Sequence, residues 1–286
     1  MKPRDAMLAA VMMGLAVTCA HAQDADPAPL RWEVAPGVLA QAEVQEGGRI
    51  AVLLTPSGTR QVLPGTADAD GTARLSAEDV DFDGRPELVA RASVGMVNEA
   101  VAVYRYDPAQ QTLVALEPVS TDGAQCGGLM GLTVDAKTRT LGSSCRGGPM
   151  WYVDQYRYDG ARLYLYRAER LLMLDEILEP YVLVTQTADS GPLAVWSTFD
   201  PAGKVLETAI GDGLETPPAG APLVPVSGRV TAARLPLYSR PGDATTKRYL
   251  VRDDRVDLLD ERDGWVQVRY DNPTRGAVLG WVNTQP

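Results

Sequence analysis

The 286-residue chain holds one histidine, three cysteines and two phenylalanines, and none of its apolar runs is long enough to cross a bilayer. Each scarcity excludes something. The lone histidine, His21, falls in an N-terminal stretch that reads as an export leader. Lys2 and Arg4 open that stretch, residues 7–17 form a short apolar core, and Ala20-His21-Ala22 supplies an A-x-A cleavage site. The expected mature protein starts after Ala22 and carries no imidazole. Ser-His-Asp and Cys-His nucleophile systems are then excluded, and with them histidine-ligated zinc chemistry. Cys19 offers a lipoprotein as the alternative to cleavage after Ala22, although Ala16 and Thr18 are poor residues before a lipidated cysteine. The expected location is periplasmic or secreted.

Positive charge is also scarce. The chain has 27 Lys and Arg against 37 Asp and Glu, a net charge of −10. Loss of Lys2, Arg4 and Asp5 with the leader leaves 25 against 36, a net charge of −11. Such a surface argues against nucleic acid and favours basic protein partners. After cleavage the remaining cysteines are Cys126 and Cys145. Residues 129–134 and 139–144 read as a hairpin around a turn at 135–138, with both cysteines at its open end. A structural disulfide is expected there, since the compartment is oxidising and no C-x-x-C redox motif is present. Closing a loop of this size contributes about 3 kcal/mol in the chain-entropy model.

What the chain has in quantity is short β-type runs separated by turns. Residues 38–44, 49–54, 88–94, 100–106, 181–185, 194–199 and 204–208 read as strands, and the turns carry Gly, Pro, Asn and Asp. Tyr104-Arg105-Tyr106-Asp107 and Tyr156-Arg157-Tyr158-Asp159 form a faint repeat, each followed by a turn and an alternating strand. Each tyrosine pair shares one sheet face, either as core or as a stacking platform for a ligand. Residues 168–178 read as a helix or as an extension of the preceding strand. Residues 211–226, with four prolines, read as an extended linker. The expected organisation is a leader (1–22), a β-domain (23–210), a linker (211–226) and a small C-terminal β-barrel (227–286). The fold class is mainly β, the first domain being propeller-like or a sandwich.

The strongest chemical signal is Asp79-Val80-Asp81-Phe82-Asp83-Gly84-Arg85-Pro86-Glu87. Carboxylates at positions one, three, five and nine, a carbonyl from Arg85 at seven and glycine at six meet the needs of a loop wrapped around Ca2+. Without a cation, so many converging acids would repel one another and force one to protonate. The alternative is a solvated acidic turn. A strand follows the loop, and position twelve is Ala90, so the motif is not an EF-hand.

Residues 227–286 resemble the bacterial SH3 domain. The resemblance rests on Leu237-Tyr238-Ser239-Arg240-Pro241, on Gly264-Trp265-Val266-Gln267-Val268 and on Gly280-Trp281-Val282. It implies binding to cell-wall peptide or protein, with Tyr238 and Trp265 as candidate contacts; the other reading gives Trp265 and Trp281 to the barrel core. The acidic loop and the Tyr-Arg-Tyr-Asp strands are similar to the calcium-loop repeats of integrin-type propellers. With Cys145-Arg146-Gly147-Gly148-Pro149-Met150-Trp151, they also resemble exported proteins related to periplasmic lysozyme inhibitors, some of which are immunity proteins. That resemblance implies a calcium-stabilised inhibitor of a peptidoglycan hydrolase, with no catalysis of its own. The Ser-Gly-x-x-Tyr loop of those inhibitors has no match, so the contact loop is not assigned by motif. Calcium at 79–87 is expected to fix the neighbouring turn, making Gly95, Met96 and Asn98 candidate partner contacts. The alternative function is a peptidoglycan-binding or adhesion module without inhibition. A glycosidase built on paired carboxylates is the third reading.

Overall fold

The computed structural model describes residues 28–66, 73–119, 121–172, 178–185 and 190–285. The expected leader, its cleavage site and Cys19 lie outside these residues. The described chain is mainly β, arranged in antiparallel sheets. Among the described residues, no helix is long and apolar enough to cross a membrane.

Two four-stranded meanders come first. Strands β1 (Leu30–Ala35), β2 (Val38–Val44), β3 (Ile50–Thr55) and β4 (Arg60–Leu63) pair in chain order. So do β5 (Arg74–Glu78), β6 (Glu87–Val94), β7 (Asn98–Asp107) and β8 (Thr112–Ala115). A six-stranded sheet follows, built from β9 (Thr133–Asp135), β10 (Thr140–Gly147), β11 (Met150–Asp159) and β12 (Arg162–Leu171). Past β12 it continues with β14 (Leu193–Phe199) and β15 (Val205–Asp212); β13 (Val182–Val184) belongs elsewhere.

The second meander is buried on both faces because its strands are apolar at successive positions. Leu88, Ala90 and Tyr104 pack against Trp32, Val52 and Leu54 of the first sheet. Val89 and Val103 face the other way, against Leu141, Tyr156 and Leu163 of the six-stranded sheet. A strand enclosed on both sides reads as a continuous apolar run, as residues 88–90 do. The tyrosine pairs take the core role: Tyr104 and Tyr156 are buried, and the Tyr104 hydroxyl donates to the Pro64 carbonyl.

β7 also joins two sheets. Its C-terminal half pairs with β8, while its N-terminal half is bonded by the segment around Met130. Val101 N–H donates to Leu129 O at 3.2 Å and Gly131 N–H to Glu99 O at 2.8 Å. Ser144 N–H of β10 then donates to Met130 O at 2.8 Å. The Cys126–Cys145 disulfide, expected from the open hairpin, anchors this connecting segment.

Of the stretch at 168–178, expected as a helix or as an extension of the preceding strand, residues Ala168 to Leu171 extend β12, and 173–177 lie outside the described residues. Pairing with β14 explains the choice, since Arg167 through Leu171 each have a cross-strand partner. A strand with ladder partners on both sides overrides a helical spacing of leucines.

The expected linker is packed down. The guanidinium of Arg167, fully buried, donates to the carbonyls of Pro217 (2.9 Å), Pro218 (3.4 Å) and Ala221 (3.0 Å). Gly220 N–H donates to the Tyr166 hydroxyl and Leu223 N–H to Glu207. Prolines remove backbone donors and leave carbonyls, which is why a multivalent donor such as arginine serves as the nail. The segment is therefore a strap over the outer face of the six-stranded sheet.

The C-terminal unit contains β16 (Ser227–Val230), β19 (Arg255–Arg262), β20 (Trp265–Asn272) and β21 (Gly276–Asn283) in one sheet. A two-stranded pair, β17 (Arg234–Pro236) and β18 (Tyr249–Val251), accompanies it. β13 crosses the boundary drawn at 211–226 and pairs with β16. Leu178, Val182, Leu193, Val195 and Ile210 enter the same core as Val256, Leu258, Val266 and Val268. The two regions thus share a hydrophobic core.

Candidate metal centre

The acidic loop lies between β5 and β6. Glu78 and Glu87 are cross-strand partners, so the loop is closed at its base by the sheet. Glu87 is buried, and its Oε2 accepts the Val80 N–H at 2.8 Å and the Asp81 N–H at 3.3 Å. Asp79 Oδ2 accepts the Gly84 N–H at 3.1 Å. Phe82 and Gly84 both take positive φ, +63° and +88°, which lets the chain curl around its own carboxylates. The Phe82 ring packs edge-on to Tyr158, with centroids 6.2 Å apart, and so ties the tip of the loop to β11.

Carboxylate oxygens of Asp79, Asp81 and Glu87 lie within 4.8 Å of one another. Burial pushes the Glu87 carboxyl up to about 7; the Val80 N–H pulls it back, and the charge on Asp81 adds to the rise. The Asp81 carboxyl is also raised, by burial first and then by the charge of Asp83. Two atoms beside the cluster are buried with no hydrogen-bond partner among the described residues: Asp79 Oδ1 and the Tyr158 hydroxyl oxygen. The Tyr158 hydroxyl is raised, chiefly by burial and then by the charges of Asp81 and Glu87. Three hard oxygen donors with a fourth oxygen left unsatisfied fit a divalent hard cation. A cation here would offset the cost of burying these carboxylates and the smaller repulsion between them.

Of the five positions expected to act as ligands, the structure brings three carboxylates together. Asp83 stands outside them: its Oδ1 accepts the Arg85 N–H at 2.8 Å, as a local Asx turn. The Arg85 guanidinium is exposed, 4.0 Å from Asp83. Sequence reasoning missed Tyr158, whose neighbourhood depends on long-range packing of β11 on the loop.

The turn at 95–97 is not a neighbour of the loop. It sits at the far end of β6, about 23 Å away at the usual rise per strand residue. Something else fixes it. The Asn98 side chain accepts the Arg146 N–H at 2.8 Å and donates to Arg146 O at 3.0 Å, as a backbone amide would. Two hairpin tips, 95–97 and 148–149, are thereby tied side by side. Gly95 takes φ +63° in the first tip and Met96 is 98% exposed. Val94, Val97 and Trp151 are also exposed large apolar residues, and Trp151 is the cross-strand partner of Arg146.

In the C-terminal unit, Tyr238 and Trp265 meet edge-to-face with centroids 5.1 Å apart, both half-buried. Trp281 is buried, and its backbone bridges Tyr238. Trp281 therefore serves the packing role expected of it, while Tyr238 and Trp265 remain partly open. No protein-family model matches the chain, and no curated protein matches it.

Proposed function

We propose that this chain is an exported, calcium-clamped β-protein that binds and inhibits a peptidoglycan hydrolase. The observation that carries the reading is the paired tip. Met96, Val97, Val94 and Trp151 are large apolar side chains held in the open by a fold that buries most others. Exposed apolar clusters of this kind mark binding sites, and methionine and tryptophan are among the residues enriched at interface cores. The Asn98 tie to Arg146 holds the tip in advance of binding, which lowers the ordering cost of association. The net charge of −10 favours approach to a basic enzyme. Calcium is the cation in this reading, because the donors are hard oxygens on a short, irregular loop. In this reading the first region is a propeller-like or sandwich stack and the second an SH3-like barrel. That barrel would keep the inhibitor near the wall.

The test is inhibition of a panel of peptidoglycan hydrolases by the purified protein, followed by the variants Met96→Asp and Trp151→Ala. Micromolar inhibition weakened at least about tenfold by either variant is the expected result, as for interface hot spots. Absence of binding to every hydrolase at micromolar concentration would remove this reading. Retention on insoluble peptidoglycan without any inhibition would favour the adhesion module.

A further inference from the structure

A cleft of about 750 Å³ opens where β14 and β15 of the six-stranded sheet approach β19 and β20. Its size falls in the range of small-molecule sites, roughly 300–1,000 Å³. Its chemistry is unusual for such a space. Two ion pairs on its rim are internally satisfied: Arg170 with Glu261 at 2.9 Å, and Arg262 with Asp260 at 2.9 Å. Glu261 Oε1 also accepts the Gly264 N–H, and Asp260 Oδ1 accepts the Glu261 N–H. The rim charges are therefore already used.

Apart from two carboxylates, Asp122 and the buried Glu169, the groups left free are uncharged. Ser197 and Thr208 are direct cross-strand partners on β14 and β15 and line the cleft, as do Gln267 and Gln125. Among the described residues, the two hydroxyls, the Gln267 carboxamide and the Gln125 side-chain oxygen make no hydrogen bond to protein. The Asp122 carboxylate lines the same cleft and is likewise unpaired. Phe199 and Val195 supply an apolar floor. Hydroxyls and carboxamides each both donate and accept, and that suits a ligand whose own groups do the same.

We infer that this cleft is a saccharide-binding site, made jointly by the two regions that share the core. A neutral polyhydroxylated ligand can pair with Ser197, Thr208, Gln267 and Gln125 while its C–H face rests on Phe199 and Val195. An anion meets unpaired Asp122 and no free cation among these five polar groups. An apolar ligand would strip water from all of them without replacing it. The site is separate from the apolar tip assigned to hydrolase binding, so either assignment can fail alone.

The experiment uses the full chain, titrated with a soluble β-1,4-linked N-acetylglucosamine tetramer and followed by calorimetry and ligand-observed NMR. Saturable binding is expected, weakened about tenfold by Thr208→Val or Gln267→Leu, the equivalent of one good hydrogen bond. Thr208→Val keeps the shape of a strand residue, and an unchanged melting temperature shows that its fold is intact. Absence of saturable binding to the tetramer would overturn the assignment. So would wild-type affinity in both variants. Loss of hydrolase inhibition in the tip variants with saccharide binding retained is the expected separation of the two sites.

Discussion

At the residue scale, the acidic loop shows how far local chemistry can be read from spacing. The register Asp79, Asp81, Glu87 was legible because carboxylates two residues apart on a curled loop must converge. The departure of Asp83 was not legible, since a side chain one position from a glycine can equally cap its own turn. Tyr158 was hidden for a different reason: it reaches the loop only through tertiary packing. Replacing Asp79 with Asn should weaken Ca2+ binding by at least about tenfold, read by calorimetry, because it removes a charged ligand. Glu169 gives an independent prediction. It is buried, with Oε1 unpartnered among the described residues, and burial, then the charge of Asp212, pushes its carboxyl up to about 8 from an ordinary 4.5. Between those values the folded state keeps a proton that the unfolded state has released. Its contribution therefore lowers stability as pH rises from about 4.5 to about 8, by a few kcal/mol in order of magnitude. Glu169→Gln should flatten that fall in urea melts across the same window and be the more stable form at pH 8. An identical pH profile in the variant would contradict the assignment.

At the scale of elements, the hairpins were legible and the connections were not. Turn residues such as Asp200-Pro201-Ala202-Gly203 fix β14 and β15 locally, and the alternating strands flanking them leave little choice. The stretch at 168–171 had two local solutions, and a distant partner, β14, decided between them. The proline-rich strap was misjudged because its anchor, Arg167, lies some 50 residues earlier in the chain. Arg167→Ala would leave three strap carbonyls and Thr198 without this donor. The expected cost is about 2–4 kcal/mol of unfolding free energy, with faster cleavage of the strap by an added protease. Protease resistance equal to that of the wild type would show that the strap is held by its apolar contacts alone.

At the scale of the whole molecule, the pattern of short strands and turns foretold a mainly β protein but not the sharing of a core. β13 pairing with β16, and Leu178, Val182 and Leu193 packing with Val256 and Val266, join what sequence reading had separated at 211–226. Its prolines make 211–226 look like an extended boundary; only the apolar faces on either side reveal otherwise. A fragment of residues 227–286 lacks β13 and part of that core. It should melt at a lower temperature than the same region in the full chain, which should unfold in a single cooperative transition by calorimetry. Two separate transitions in the full chain would show that the shared core is energetically unimportant.

A cation bound by Asp79, Asp81 and Glu87 would clamp the β5–β6 loop. The most direct measurement is the melting temperature of the full chain in excess chelator and in millimolar Ca2+. Because Ca2+ would bind the native loop and not the unfolded chain, stability should rise with its concentration, by about 2.7 kcal/mol at a hundredfold excess over the dissociation constant. The expected result is a clear upward shift in the wild type that is lost in Asp81→Ala. A melting temperature indifferent to Ca2+, or an equal shift in Asp81→Ala, would contradict it.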